Sequence, residues 1–144
     1  MAGRSLALLL LLLSFAAVPA RAQDVDIPAA DRQAIRDVIQ RQVDAFRRDD
    51  GEAAFALASP EIQRLFGTSE IFMDMVRQGY RPVYRPRVFD FAGIVSLNGQ
   101  PTQTVHVIGP DGRPVTAYHP MRQLPDGTWR VDGCFLKAPD DHQA

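Results

Sequence analysis

The spacing of hydrophobic positions changes near residue 87. Before it, apolar side chains recur at helical spacing; after it, they alternate. Ile35, Val38, Ile39, Val43 and Phe46 fall at i, i+3, i+4, i+8 and i+11, with Arg32, Arg36, Asp37, Arg41 and Asp44 mostly on the other side. This pattern predicts an amphipathic helix of about 17 residues capped by Asp31. Arg47 to Gly51 breaks it, and Asp49 or Asp50 caps a second helix whose alanines permit close packing. Ser59, Pro60 and Glu61 place a capping hydroxyl, a first-turn proline and an acid at the start of a third helix. Gly67 ends it. Thr68 or Ser69 caps a fourth, with Ile71, Phe72, Met75 and Val76 on one face and Gly79 as its stop. In Tyr80-Arg81-Pro82 and Tyr84-Arg85-Pro86, two X-Pro steps are expected to hold the chain extended.

From Arg87 to Leu97 the period is two. Phe89, Phe91, Val95 and Leu97 share one face, and Val88, Asp90, Ala92, Ile94 and Ser96 the other. Asn98-Gly99 signals a type I′ hairpin. Thr102–Ile108 returns, with Val105 and Val107 opposite His106. Gly109 to Gly112 turns into a third strand, Val115–Leu124, and Pro125-Asp126-Gly127 turns into a fourth, Trp129–Leu136. In that last strand Trp129, Val131 and Phe135 oppose Arg130, Asp132, Cys134 and Leu136. Helices followed by a meander predict an α+β domain over residues 31–137, with the N-terminal helices packed on a curved four-stranded antiparallel sheet. The stretch Ser59–Pro86 is expected to roof the hollow between the layers. Phe89, Phe91, Trp129 and Phe135 are expected to line the inner wall of the sheet.

Composition adds a compartment. Residues 1–22 read as a signal peptide: Arg4, the apolar run Leu6–Val18, then Ala20-Arg21-Ala22 before Gln23. The run is too short to span a bilayer. Residues 23–30 form a lead-in and 138–144 a polar tail. Without Arg4 and Arg21, 14 basic residues face 17 acidic ones, a net charge of −3. That balance argues against nucleic acid. Lys137 is the sole lysine, and the Ala- and Arg-rich composition suggests a GC-rich bacterial genome, hence the periplasm. A single cysteine, Cys134, cannot form an internal disulfide and reads as a small buried apolar residue rather than a reactive thiol.

The order of elements resembles the nuclear transport factor 2-like (cystatin-like) α+β cone. More closely, the chain resembles the bacterial domain of unknown function 4864 family over about residues 33–137. Ala45-Phe46 before the acidic pair at 49–50, Ala58-Ser59-Pro60, Ile62-Gln63, Phe66-Gly67, Met75-Val76, Gly79-Tyr80, Arg85-Pro86, Asp126-Gly127, Trp129 and Gly133 carry that likeness. The resemblance implies a cavity and no particular activity. Tyr118-His119-Pro120-Met121 departs from the family pattern, in which one residue separates the tyrosine and the methionine. A bulge there would leave Tyr118 and Met121 on one face and move His119 off it; without one His119 shares a face with Ala117 and Met121.

Candidate chemistry is sparse. Cone-fold isomerases and dehydratases suggest a carboxylate or histidine base with a tyrosine hydroxyl. Alternation turns Asp90, His106 and Asp132 away from the hollow, leaving Tyr118 and His119 as the weak catalytic candidates. His106, His119 and His142 have no metal-ligand spacing, and no nucleotide-binding loop or nucleophile elbow occurs, so no metal or cofactor is expected. Arg77, Arg81, Arg85 and Arg87 with Tyr80 and Tyr84 could take an anionic ligand or pair with Asp74 and Asp90. Phe72, Met75, Tyr80, Arg81, Tyr84, Arg85, Phe91 and Trp129 are the candidate ligand-binding residues, for a small apolar or anionic ligand. Val88, Ala92, Ile94, Cys134 and Leu136 make the expected outer face partly apolar and suggest a homodimer. The residues favour a non-catalytic ligand-binding or interaction module over a small isomerase, dehydratase or hydrolase.

Overall fold

The computed structural model describes residues 25–139. The leader and the last five residues lie outside them. Five helices precede five strands: α1 Ala29–Arg47, α2 Gly51–Ala56, α3 Pro60–Phe66, α4 Ser69–Gly79, α5 Arg81–Tyr84, β1 Val88–Leu97, β2 Gln100–Ile108, β3 Pro114–Gln123, β4 Trp129–Val131 and β5 Phe135–Lys137. The caps act as the sequence predicts. Asp50, Ser59 and Thr68 accept from the backbone N–H of Ala53, Ile62 and Ile71, and Gly67 closes α3 at φ 77°. Asp31 does not cap α1, which begins two residues earlier at Ala29 behind Pro28. Its carboxylate instead accepts from Trp129 Nε1 at 3.1 Å, tying the first helical turn to β4. The lead-in is also structured: Val25 N–H bonds to the Ile94 carbonyl, Ile27 is buried, and Arg32 binds both their carbonyls. Residues 81–84 are not extended. Pro82 sits in the first turn of α5, where its missing N–H leaves no helical bond unmade.

The α+β architecture is as expected, with an antiparallel sheet ordered β1-β2-β3-β4 and β5 also paired with β3. Two bulges revise the facing. In β1, Phe91 pairs with Val105 but Ile94 pairs with Gln103, so Ala92 and Gly93 together oppose Thr104. The bulge carbonyls are taken by Gln103 Nε2 (2.8 Å to Ala92, 3.3 Å to Gly93) and by Thr104 Oγ1 (2.8 Å to Gly93). Ile94 therefore turns inward into the core with Phe89 and Phe91, and Val95 and Leu97 leave that face. The predicted fourth strand is two strands. Val131 pairs with Met121 and Phe135 with Tyr118, so Asp132, Gly133 and Cys134 oppose only His119 and Pro120. Gly133 lies at φ 154°, a conformation that favours glycine. Beyond it Cys134 and Leu136 pack inward, while Phe135 stacks on Tyr118 at 4.8 Å away from the core. Phe135 thus does not line the inner wall; Phe89, Phe91 and Trp129 do. Ile94, Cys134 and Leu136 no longer belong to the outer face that suggested a dimer.

The core has two parts. Val43 and Phe46 of α1 meet Phe72, Met73 and Val76 of α4 over Val105, Val107 and Ala117 of the sheet. Ile35, Val38 and Ile39 of α1 meet Ile94, Met121, Trp129 and Val131. Leu57–Ser59 runs beside β4, with Val131 N–H on the Leu57 carbonyl at 3.0 Å and Ser59 N–H on the Val131 carbonyl at 2.8 Å. Asp132 then grips this junction. It accepts from Ser59 Oγ at 2.5 Å, Gln100 Nε2 at 2.7 Å and Arg122 Nη2 at 3.3 Å. Its side chain is only 11% exposed, so it is not the solvent-facing strand residue that alternation predicts. Burial disfavours its charge, yet the donors from Ser59, Gln100 and Arg122 outweigh that and hold the carboxyl below 3.8. The stabilisation is present above the ordinary carboxylate range and is lost as pH falls through the depressed folded value. Ser59→Ala removes both a cap and a donor to a buried carboxylate. It is expected to cost about 2 kcal/mol, measured by urea denaturation at pH 7, and less at pH values below the Asp132 titration.

Candidate functional site

The hollow between the helices and the sheet is a cavity of about 330 Å³. Its roof is α3 and α4. Ile62, Leu65 and Phe66 descend from α3 at i, i+3 and i+4, and Phe72, Met75 and Val76 from α4. Tyr80 and Val83, with Gln42 and Phe46 of α1, complete the walls. The floor is Ala58, His119, Val131, Gly133 and Cys134. Leu65 is 73% exposed and marks the rim. Among the described residues, no Asp, Glu, Lys or Arg lines the cavity.

The polar groups that do line it are held neutral. His119 is 1% exposed, and burial pushes its imidazole down from 6.5 to about 4, with the Gln103 backbone carbonyl pulling the other way. Burial pushes the Cys134 thiol up to about 12. Burial, and then the proximity of Cys134, raises the Tyr80 phenol. No hydrogen bond links the three. Gln42 commits its amide nitrogen to the Ala54 carbonyl at 3.1 Å. Among the described residues His119 Nδ1 has no partner; neither has Gln103 Oε1 on the neighbouring strand. Between β2 and β3 the register is unbroken, so His119 shares the inner face with Ala117 and Met121. Alternation sends Tyr118 the other way, and the two weak catalytic candidates do not meet.

Of the candidate ligand residues, Phe72, Met75 and Tyr80 line the cavity. The others lie elsewhere. Trp129 is buried in the second half of the core, with Phe91 packed against it. Arg81 is exposed at the start of α5. Tyr84 and Arg85 are drawn to Asp49, in the turn after α1. Tyr84 donates its hydroxyl to Asp49 Oδ1, and Arg85 Nη2 donates to Oδ2 at 2.9 Å. Arg85 also lies 3.9 Å over the Tyr84 ring and donates to the Phe46 carbonyl at 2.5 Å. Arg77 approaches Asp49 at 3.7 Å and Asp74 at 3.3 Å. The Tyr84 hydrogen bond, then the two guanidiniums, hold the Asp49 carboxyl below its ordinary value despite some desolvation. The arginine–tyrosine loop is therefore a clasp fastening α5 to the end of α1. Its shared acid is Asp49, Asp74 pairs with Arg77 as expected, and Asp90 takes no part. Asp49 itself sits at φ 54°, which turns its carboxylate back over the loop.

Gln42, Ile62, Leu65, Phe66 and Cys134 are cavity residues absent from the expected site, and His119 entered it only as a weak catalytic candidate. The stretch Ser59–Pro86 roofs the cavity as expected, and the i, i+3, i+4 spacing of Ile62, Leu65 and Phe66 is the signal that could have named the side chains of α3 in it. Among the described residues, no group of His, Cys, Asp and Glu could hold a metal ion, and no helix is long and apolar enough to cross a membrane.

A family profile described as Domain of unknown function (DUF4864) matches residues 28–144. The chain belongs to that family. No curated protein and no solved structure matches it.

Two chemical consequences follow for this DUF4864 protein. The unfolded chain protonates His119 near 6.5, the folded chain only near 4. Stability is therefore full above about pH 6.5 and falls toward pH 4, by about 3 kcal/mol. Urea midpoints between pH 7 and pH 4.5 should record this loss, and His119→Leu should flatten it. The Cys134 thiol, half-buried and held protonated, is expected to react slowly with the anionic reagent 5,5′-dithiobis(2-nitrobenzoate) at pH 8. It should react fully in guanidinium chloride.

Proposed function

We propose that this protein is an exported, non-catalytic module that binds a small apolar molecule between α3, α4 and the sheet. The observation that carries the reading is the lining: a cavity of about 330 Å³ whose walls, among the described residues, are mostly apolar and carry no charged side chain. Such a space favours a neutral, poorly hydrated guest. The anionic half of the sequence expectation loses its support, because Tyr84 and Arg85 are engaged with Asp49. The catalytic alternative lacks an acid–base pair: His119, Tyr80 and Cys134 are neutral and share no hydrogen bond. Export to the periplasm rests on the leader-like pattern of residues 1–22. Kinship with the nuclear transport factor 2-like cone rests on the order of helices before a meander.

The uncharged fluorescent probe N-phenyl-1-naphthylamine tests the reading. It is expected to bind the purified protein saturably, with one site. Met75→Trp, which fills the space beneath α4, should weaken it at least tenfold with little change in melting temperature. Unsaturable binding, or equal binding to the Trp variant, would sink the proposal.

A further inference from the structure

We propose that the guest in this cavity is an uncharged alcohol, an apolar body carrying one hydroxyl that is recognised by His119. The inference deepens the binding-module reading and rests on it. Three observations support it. The first is that no charged side chain among the described residues lines the cavity. A carboxylate, phosphate or ammonium head would surrender its hydration and meet no counter-charge.

The second is the pair of orphaned atoms. His119 and Gln103 face each other across β2 and β3, with Nδ1 and Oε1 both buried and unpartnered. Buried polar atoms are nearly always satisfied, so these stand out. The Gln103 amide is oriented by its nitrogen, which donates to the carbonyls of Ala92, Gly93 and Thr104. Its oxygen can only accept. A neutral imidazole presents Nδ1 as donor or acceptor according to its tautomer. Of these two side chains only His119 lines the cavity, and a hydroxyl complements either of its tautomers. A ketone or ether oxygen cannot donate at all. The third observation is size. The volume is at the lower end of the roughly 300–1,000 Å³ of small-molecule pockets, enough for one medium chain or a small ring system.

Displacement of N-phenyl-1-naphthylamine by 1-decanol, 1-chlorodecane and decanoate tests the assignment. Decanol is expected to displace the probe at about tenfold lower concentration than chlorodecane, the worth of one satisfied buried hydrogen bond. Decanoate should be the weakest of the three at pH 7. In His119→Leu the decanol-to-chlorodecane ratio should fall to about one. Equal displacement by alcohol and chloride in the wild type, or a preference for decanoate, overturns the hydroxyl assignment and leaves the apolar cavity standing. Failure of the probe itself to bind overturns the cavity reading instead. Should the Leu variant not fold, nitrogen-15 spectra of the wild-type imidazole decide the matter. Decanol must move the Nδ1 resonance of His119 and chlorodecane must not; an unmoved resonance with decanol refutes the proposal.

Discussion

One extra residue between β4 and β5 sets the geometry on which the cavity depends. Asp132, Gly133 and Cys134 must fit opposite His119 and Pro120. Gly133 accommodates the surplus at φ 154°, where any side chain would be strained. The strand is held through the bend by Asp132 N–H on the Pro120 carbonyl at 2.8 Å. Two things follow from this one displacement. The facing reverses, so Cys134 enters the cavity and Phe135 leaves the inner wall. The Asp132 side chain is also brought against Ser59, where it fixes the first turn of α3. That helix has no fully buried residue of its own. Its place over the cavity is set by its N-terminal anchor, by Gln63 bonding to the Phe55 and Ala58 carbonyls, and by its apolar face.

The polar chemistry of the protein is spent on joining elements. Asp132 joins α3 to three strands, Asp31 joins α1 to β4, and Asp49 joins the α1 end to α5. The last of these is exposed, and exposed ion pairs contribute little stability. Its role is positional: it determines where the loop after α4 runs, and so where Tyr80 and Val83 stand at the cavity wall. The cavity itself, among the described residues, is left without charge. A family of undescribed function and an α+β architecture do not select an activity. The composition of the lining does more, since it disfavours charged guests on desolvation grounds and leaves His119 as a buried group with an unmet hydrogen bond.

Short-range physics was legible in the chain. Helical spacing found α1 and α4, and hydroxyl and carboxyl caps found the starts of α2, α3 and α4. Asn98-Gly99 located the first hairpin, where Asn98 takes φ 51° and Gly99 φ 80°. These features depend on residues within a few positions of each other, so sequence alone determined them. Glycine within a strand can mark a bulge, and Gly93 and Gly133 did so here, but alternation was carried through both as though they were absent. That single error placed Ile94, Phe135, Cys134 and Leu136 on the wrong faces.

Other outcomes were decided only by tertiary structure. Asp31 could cap a helix or accept from Trp129, 98 positions away. Asp49 could serve α2 or receive Tyr84 and Arg85. Asp132 could face water or hold Ser59, 73 positions away. Each carboxylate has several partners of similar local merit, and the choice belongs to whichever donors the packed layers bring within reach. The pattern of the chain determined that helices would cover a sheet. Which side chains line the space between them was settled by strand register, because a shift of one residue exchanges the two faces.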